Sequence, residues 1–390
     1  MPRPPSQKTL FMLVYFASFL YSFQYALPLY IESSFISQFL STTKMVGIIF
    51  SIAAIFTAIF TFSLPRLLHR FGNYRLTLVT MGLEIVALLS LAIFSNPFII
   101  IPLFIAHQTL TNIIFLNLDS FVESFSDDSK TGGIRGVFMT VLNVAIAVAP
   151  FLAGMMLTDH DFWKVYLAAA AFMALGFLVI ARNFKNYVDP KYTVSAIRDT
   201  LRMVGKSHDL HSIIFMHFLL AFFFSWMVIY TPIYLNKHMG ISMNDILTII
   251  TPIALIPFII FEVGLGKIAD NRLGEKEILT AGFILMGVTT AGLSWITTSS
   301  VLVWAGALFL TRTGASMVEV ATESYFYKKV GPEDSHLITF MRTIRTSAYI
   351  VGPLLGSLVL VFVDYRYLFL VLGIVMLTSI HFALTIKDTK

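Results

Sequence analysis

The chain has 390 residues, 57% of them hydrophobic and only 13% charged, and its mean hydropathy is +0.81. Soluble domains carry roughly 25% charged residues. So few charges cannot keep this much apolar surface in water, which excludes a cytosolic enzyme, a nucleic-acid binder and a disordered chain and leaves a polytopic helical membrane protein. Cysteine is absent, which removes disulfides, thiolate nucleophiles and cysteine metal ligands.

A helix needs about 20 apolar residues to cross about 30 Å of hydrocarbon. In chain order the segments that qualify lie at about 9–30, 45–63, 75–95, 98–118, 135–157, 163–181, 210–235, 246–266, 277–297, 300–323, 337–361 and 365–386. That is twelve spans. The first is too long for a cleavable leader and no small-residue cleavage site follows it, so it is expected to remain in place. Asn96-Pro97 separates spans three and four, and Ser299-Ser300 separates nine and ten. Links this short make the flanking spans antiparallel neighbours.

Net charge is +5, from 27 Lys and Arg against 22 Asp and Glu. With a cytoplasmic N-terminus, twenty basic residues fall on the cytoplasmic side, four outside (Lys44, Lys164, Lys237 and Arg366), and Arg312, Arg342 and Arg345 lie inside spans. Cytoplasmic loops attract Lys and Arg, so both termini are expected in the cytoplasm. The one long polar stretch, about 182–209, carries Val194, Ile197, Leu201 and Val204 at helical spacing, with Arg198, Arg202 and Lys206 off that stripe. It reads as a basic amphipathic helix on the inner leaflet or as a solvated linker. The predicted organisation is a six-span bundle over 1–184, a linker over 185–207 and a second six-span bundle over 208–390.

The two halves match at a nearly constant offset. PLYI at 28–31 matches PIYL at 232–235. LPRLLHRFGNY at 64–74 matches GKIADNRLGEK at 266–276. APFLAG at 149–154 matches GPLLGS at 352–357, and DFWKVY at 161–166 matches DYRYLF at 364–369. Six spans is an even number, so both copies cross in the same direction. Parallel repeats of this kind are a transporter plan, with the substrate site at the repeat interface near the midplane.

Across these repeats the chain resembles the major facilitator superfamily. GKIADNRLGEK is similar to that family's cytoplasmic loop signature. The resemblance implies that Gly266, Asp270, Arg272 and Gly274 latch the halves in one state. The first-half copy keeps Arg70 and Gly72 but has Leu68 where Asp is expected and Leu64 where Gly is expected. The Gly-Pro motif of span eleven, Gly352-Pro353-Leu354-Leu355-Gly356, resembles the family's antiporter signature and points to export; its span-five copy is degenerate. His107-Gln108 stands where drug exporters often carry a basic residue in span four, which counts against a standard multidrug pump. The resemblance also implies that spans one, four, seven and ten line a cavity. The cavity candidates are therefore Gln24, Tyr25, His107, Asn112, Asn143, His217, Trp226 and Tyr230, each weighed against plain hydrogen-bonded packing. Pro28 and Pro232 mark bends in two of those spans.

A charge at the centre of a span costs about 2.5–3.5 kcal/mol on insertion scales, so each is a functional candidate. Arg312, Ser316, Glu319 and Glu323 share one face of span ten, and Arg342 and Arg345 share one face of span eleven. Two readings stand: structural pairs of Glu319 with Arg345 and of Glu323 with Arg342, or a proton held on Glu319 and switched by a moving guanidinium. Arg312, about 18 Å from the outer end of its span, is a candidate ligand for an anionic or polar substrate. Asp119, Glu123 and Arg135 read as a salt-bridge cluster. Glu262 reads as support for the loop latch. Glu84 is left without an assigned partner.

The expected protein is an all-α membrane protein with two parallel six-helix repeats. It is a secondary transporter that exports a small organic solute by alternating access with protons, in a bacterial inner membrane and as a monomer. The alternative is a proton-independent uniporter or importer of a sugar or metabolite. A membrane enzyme or receptor is disfavoured, because no P-loop, nucleophile motif or metal-spaced cluster appears. No cofactor, metal or nucleic acid is called for.

Overall fold

The computed structural model describes residues 7–124, 131–157, 161–189, 204–205, 207–260, 274–330 and 335–387. Every regular element among them is helical. In the first half the helices are α1 (Gln7–Leu29), the short α2 (Glu32–Ser37), α3 (Val46–Phe71), α4 (Asn73–Ile93), α5 (Pro97–Ser124), α6 (Thr131–Met156) and α7 (Phe162–Asn183). In the second half they are α8 (His208–Ile233), α9 (Met243–Ile260), α10 (Glu275–Gly292), α11 (Val301–Lys329), α12 (Ser335–Phe362) and α13 (Leu368–Thr385). Eleven described helices are long and apolar enough to cross a membrane, and Val144–Met156 is the described apolar part of α6, at the fifth predicted span.

The helices start and stop where local chemistry requires. Gly72 joins α3 to α4 at φ +76°, a left-handed conformation that a Cβ disfavours. Asn96 Oδ1 accepts from the Phe98 N–H (2.9 Å) just before α5. Ser207 accepts from the Leu210 N–H at the start of α8, and Ser242 accepts from the Asp245 N–H at the start of α9. Each satisfies a donor that the first turn leaves open. Pro28 closes α1, and the chain re-enters helix at Glu32 after a turn. Pro232 sits at the end of α8, where the helix widens to π geometry over Tyr234–His238.

Side chains sort as they should in lipid. Phe98, Phe362, Ile93 and Leu302 are all at least 74% exposed, while Ser22, Gln24, Asn73, Asn117, Ser225 and Thr311 are buried. Hydrocarbon gives apolar faces no reason to hide, so polar groups collect inside instead.

The chain divides into two compact units, Met1–Ser41 with Ile52–Val194, and Thr42–Ser51 with Ser195–Lys390. Within the first, α1 packs on α5, α6 and α7, and α4 packs on α5 and α7. Within the second, α8 packs on α11, α12 and α13, and α10 packs on α11 and α13. These are the same five pairings one repeat later, as the matched sequence segments imply. Thr42–Ser51 clusters with the second unit, where the Ser51 hydroxyl donates to the Ile350 carbonyl at 2.8 Å.

Candidate functional site

In the first unit, ionisable side chains from three elements converge on one imidazole. His107, in the first half of α5, is 1% exposed. Its Nδ1 lies 2.6 Å from Glu84 Oε1 and its Nε2 lies 3.2 Å from Glu32 Oε1. Glu84 stands near the middle of α4 and is fully buried, and Glu32 opens α2 just past the Pro28 break. The amides beside them are donors: Gln24 Nε2 to Glu84 Oε1 at 2.7 Å, and Gln108 Nε2 to Glu32 Oε2 at 2.6 Å. Thr111 Oγ1 also donates to Glu84 Oε1 at 3.2 Å, and the Tyr21 hydroxyl fixes the Thr111 carbonyl at 3.0 Å. Tyr166 closes one side, edge-on to the imidazole at 6.2 Å.

Three titratable groups therefore share one buried cluster, and no Lys or Arg among the described residues bonds to them. Both ring nitrogens face carboxyl oxygens. Both contacts are hydrogen bonds only with an imidazolium or with a protonated acid donating to the ring. Among the described residues no group of three or more His, Asp or Glu is arranged to hold a metal ion.

The cluster takes in two of the sequence candidates, Gln24 and His107, and supplies the partner that Glu84 lacked. It adds Glu32 and Gln108, which sequence reasoning passed over as ligands. A signal for part of it exists. Glu84 lies as far before Ser95 as His107 lies after Asn96, so folding α4 and α5 back on each other at that turn brings the two level. Glu32 falls just beyond the predicted end of span one, where an acid reads as a solvated loop residue.

The other candidates are dispersed. Tyr25 is half-buried and stacks on Tyr21 (6.4 Å, 6° between planes). Asn112 is exposed. In the second unit, the Trp226 indole donates to the Gly352 carbonyl (2.6 Å) and the Tyr230 hydroxyl to the Pro353 carbonyl (2.6 Å), so both brace α8 against the Gly-Pro motif of α12. His217 is half-buried. The Arg312 guanidinium, 5% exposed, lies over Phe223 at 5.2 Å and Phe224 at 5.6 Å, a stacked arrangement that suits a weakly hydrated cation. On α11, Glu319 is half-buried and Glu323 exposed, and on α12 Arg345 is exposed. The Arg342, Asn143, Glu123 and Arg135 side chains lie outside what is described, while Asp119 is buried at 7% exposure.

Of the loop latch, Gly266, Asp270, Arg272 and Glu262 lie outside the described residues, as does most of the predicted amphipathic stretch. Gly274 is the N-cap of α10. In the first-half copy Arg70 lies over the Phe71 ring at 5.3 Å. Asp189, six residues after α7, accepts from the Asn73 N–H at 2.7 Å at the start of α4. A Cβ on Gly72 would stand 2.5 Å from its other oxygen.

The sequence profile of the Major Facilitator Superfamily matches residues 11–346. The chain is 23% identical over 386 residues to the multidrug resistance protein MdtG of Enterobacter lignolyticus, covering 93% of this chain and 87% of that one. Its fold is similar to that of an auto-inhibited POT family peptide transporter (TM-score 0.77, 12% identity, covering 97% of this chain and 98% of that one). It is similar also to the nucleoside transporter NupG (TM-score 0.75, 12% identity, covering 97% and 100%).

Proposed function

The chain belongs to the Major Facilitator Superfamily, and from that membership we propose that it is a proton-driven exporter of small organic solutes. It is an integral membrane transporter and not an enzyme. The observation that carries the proton reading is the buried set Glu32, His107 and Glu84. Such groups are costly to keep in a bilayer interior, and a cluster of them to which no Lys or Arg among the described residues bonds is suited to taking up and releasing a proton. Export is supported by the likeness to MdtG over nine-tenths of the chain and by the Gly-Pro motif of α12.

Substrate is proposed to meet the stacked Arg312, which offers a cation on an apolar floor of Phe223 and Phe224. Glu319 with Arg345 and Glu323 with Arg342 are proposed as structural ion pairs between α11 and α12. The bilayer is proposed to be a bacterial inner membrane with both termini in the cytoplasm, in line with the excess of basic residues on that side. The second reading, proton-independent uniport or import, draws on the nucleoside and peptide transporters of similar fold.

One experiment separates the two. A panel of organic solutes is scored by thermal stabilisation of the purified chain, since ligands that bind the folded state raise apparent stability. The hits are then followed in proteoliposomes. An imposed pH gradient is expected to drive accumulation against the solute gradient, and an uncoupler to abolish it. Accumulation that ignores both gradient and uncoupler would sink the proton-driven reading.

A further inference from the structure

We propose that Glu84 binds and releases the transported proton, that Glu84 Oε2 is the atom carrying it, and that His107 is the positioning residue that holds the charged form in place. The assignment rests on the proton-driven reading above and places it on one atom.

The two oxygens of Glu84 are treated very differently. Oε1 takes the Gln24 amide at 2.7 Å, His107 Nδ1 at 2.6 Å and the Thr111 hydroxyl at 3.2 Å. Oε2 is buried and has no hydrogen-bond partner among the described residues. Glu32 shows no such asymmetry, because Oε1 faces His107 and Oε2 accepts from Gln108. A buried carboxylate oxygen without a donor is expensive. A proton on that oxygen removes its charge and lowers the penalty, since an unpaired neutral hydroxyl costs less to bury than an unpaired carboxylate oxygen. Of this cluster's acid and amide oxygens, the buried ones without a hydrogen-bond partner among the described residues are Glu84 Oε2 and Gln24 Oε1, and of the two the carboxylate oxygen is the one basic enough to take up a proton.

Charge calls for one more proton on the cluster, and the oxygen asymmetry places it. With both acids ionised and an imidazolium between them, the cluster carries one uncompensated negative charge. One further proton makes it neutral, and neutrality is favoured in a low-dielectric interior. The step balances simply: a proton adds to Oε2 on loading and leaves from it on release, with the imidazole unchanged. The titratable groups facing Glu84 from the neighbouring helices are His107 on α5, Glu32 on α2, Tyr21 on α1 and Tyr166 on α7. The donors come from α1 and α5 while the acid rides on α4. A shift of α1 that withdraws Gln24 therefore changes how firmly Glu84 keeps its proton. Glu319, the acid favoured from sequence, is only half-buried.

The test is infrared spectroscopy of the full chain in lipid, stepped between alkaline and acid pH, together with gradient-driven accumulation. Wild type is expected to show a carboxylic-acid carbonyl band that appears on acidification. E84Q is expected to lose that band and all gradient-driven accumulation while still exchanging solute across the membrane, a split that mere misfolding would not produce. E319Q is expected to keep both band and accumulation. A band that persists in E84Q, or that vanishes in E319Q, overturns the assignment. Wild type that shows the Glu84 band but no gradient-driven accumulation defeats the proton-driven reading and leaves the proton site standing. Should E84Q not fold, wild type carries the test alone. An apolar carbodiimide adds across a protonated carboxyl without losing any atom, so at acid pH peptide mapping is expected to find the adduct on Glu84. Modification of Glu319 with Glu84 untouched overturns the proposal.

Discussion

Tyr230 has no exposed surface, yet its hydroxyl has work to do: it donates to the Pro353 carbonyl at 2.6 Å and lies 3.2 Å from the Ser357 hydroxyl. Trp226, one turn earlier, donates to the Gly352 carbonyl. Together they hold α8 against the stretch of α12 where a proline breaks the backbone ladder. Removing only the hydroxyl, by Tyr230→Phe, keeps the ring packing and deletes one buried bond. A loss of about 1 kcal/mol is expected, seen as a lower apparent melting temperature in detergent with retained solute exchange; an unchanged melting temperature would show that the bond contributes nothing. Sequence alone marked Tyr230 and Trp226 as polar groups in an apolar helix but could not say which neighbour they meet, because the partners are backbone carbonyls more than 120 residues away. Glu84 and His107 were more accessible to reasoning, since they flank one tight turn at equal distances. Glu32 was not, because its position depends on the Pro28 break turning the chain back inward.

At the scale of elements, the repeat legible in four matched segments reappears as five matched helix pairings. The polar anchors at the equivalent helix starts differ in chemistry but not in place. Asn73 at the start of α4 donates to the Asn117 carbonyl of α5. Glu275 at the start of α10 accepts from Ser324 at 2.8 Å and Lys328 at 2.5 Å of α11. Span count and order were readable because hydropathy is strong and the links are short. Beyond the neighbours that the two short links force, the pairings were not, because in lipid the close packing of helices depends on small residues, whose contacts no hydropathy pattern reveals. Gly314 on α11 is such a residue: a Cβ there would stand 2.4 Å from the Met286 backbone nitrogen of α10. Backbone cannot swing aside, so Gly314→Val should separate the two helices and cost at least the about 1–3 kcal/mol typical of overpacking. Gly306, on the same helix, has open space around it, and Gly306→Ala should instead stabilise by roughly 0.5–1 kcal/mol through backbone entropy. Thermal unfolding of the two variants beside wild type checks both signs, and a Gly314→Val protein as stable as wild type would refute the close contact.

Over the whole molecule, the low charge content that excludes a soluble fold also makes the placement of each base informative. On the topology expected from the sequence, twenty basic residues fall on the face expected to carry both termini, and four on the other. That bias is large enough to set orientation, because each Lys or Arg near a span end resists translocation. The absence of cysteine makes the consequence directly measurable, since any introduced thiol is unique. Asn186, exposed just after α7, belongs to the face expected in the cytoplasm, and Ser299, exposed between α10 and α11, belongs to the opposite face. In intact cells a membrane-impermeant maleimide is expected to label Ser299→Cys and to spare Asn186→Cys, with both labelled once the membrane is permeabilised. The reverse pattern would invert the protein in its bilayer. Protons running down their usual inward gradient would then meet Glu84 from the opposite side, and the export reading would have to become import.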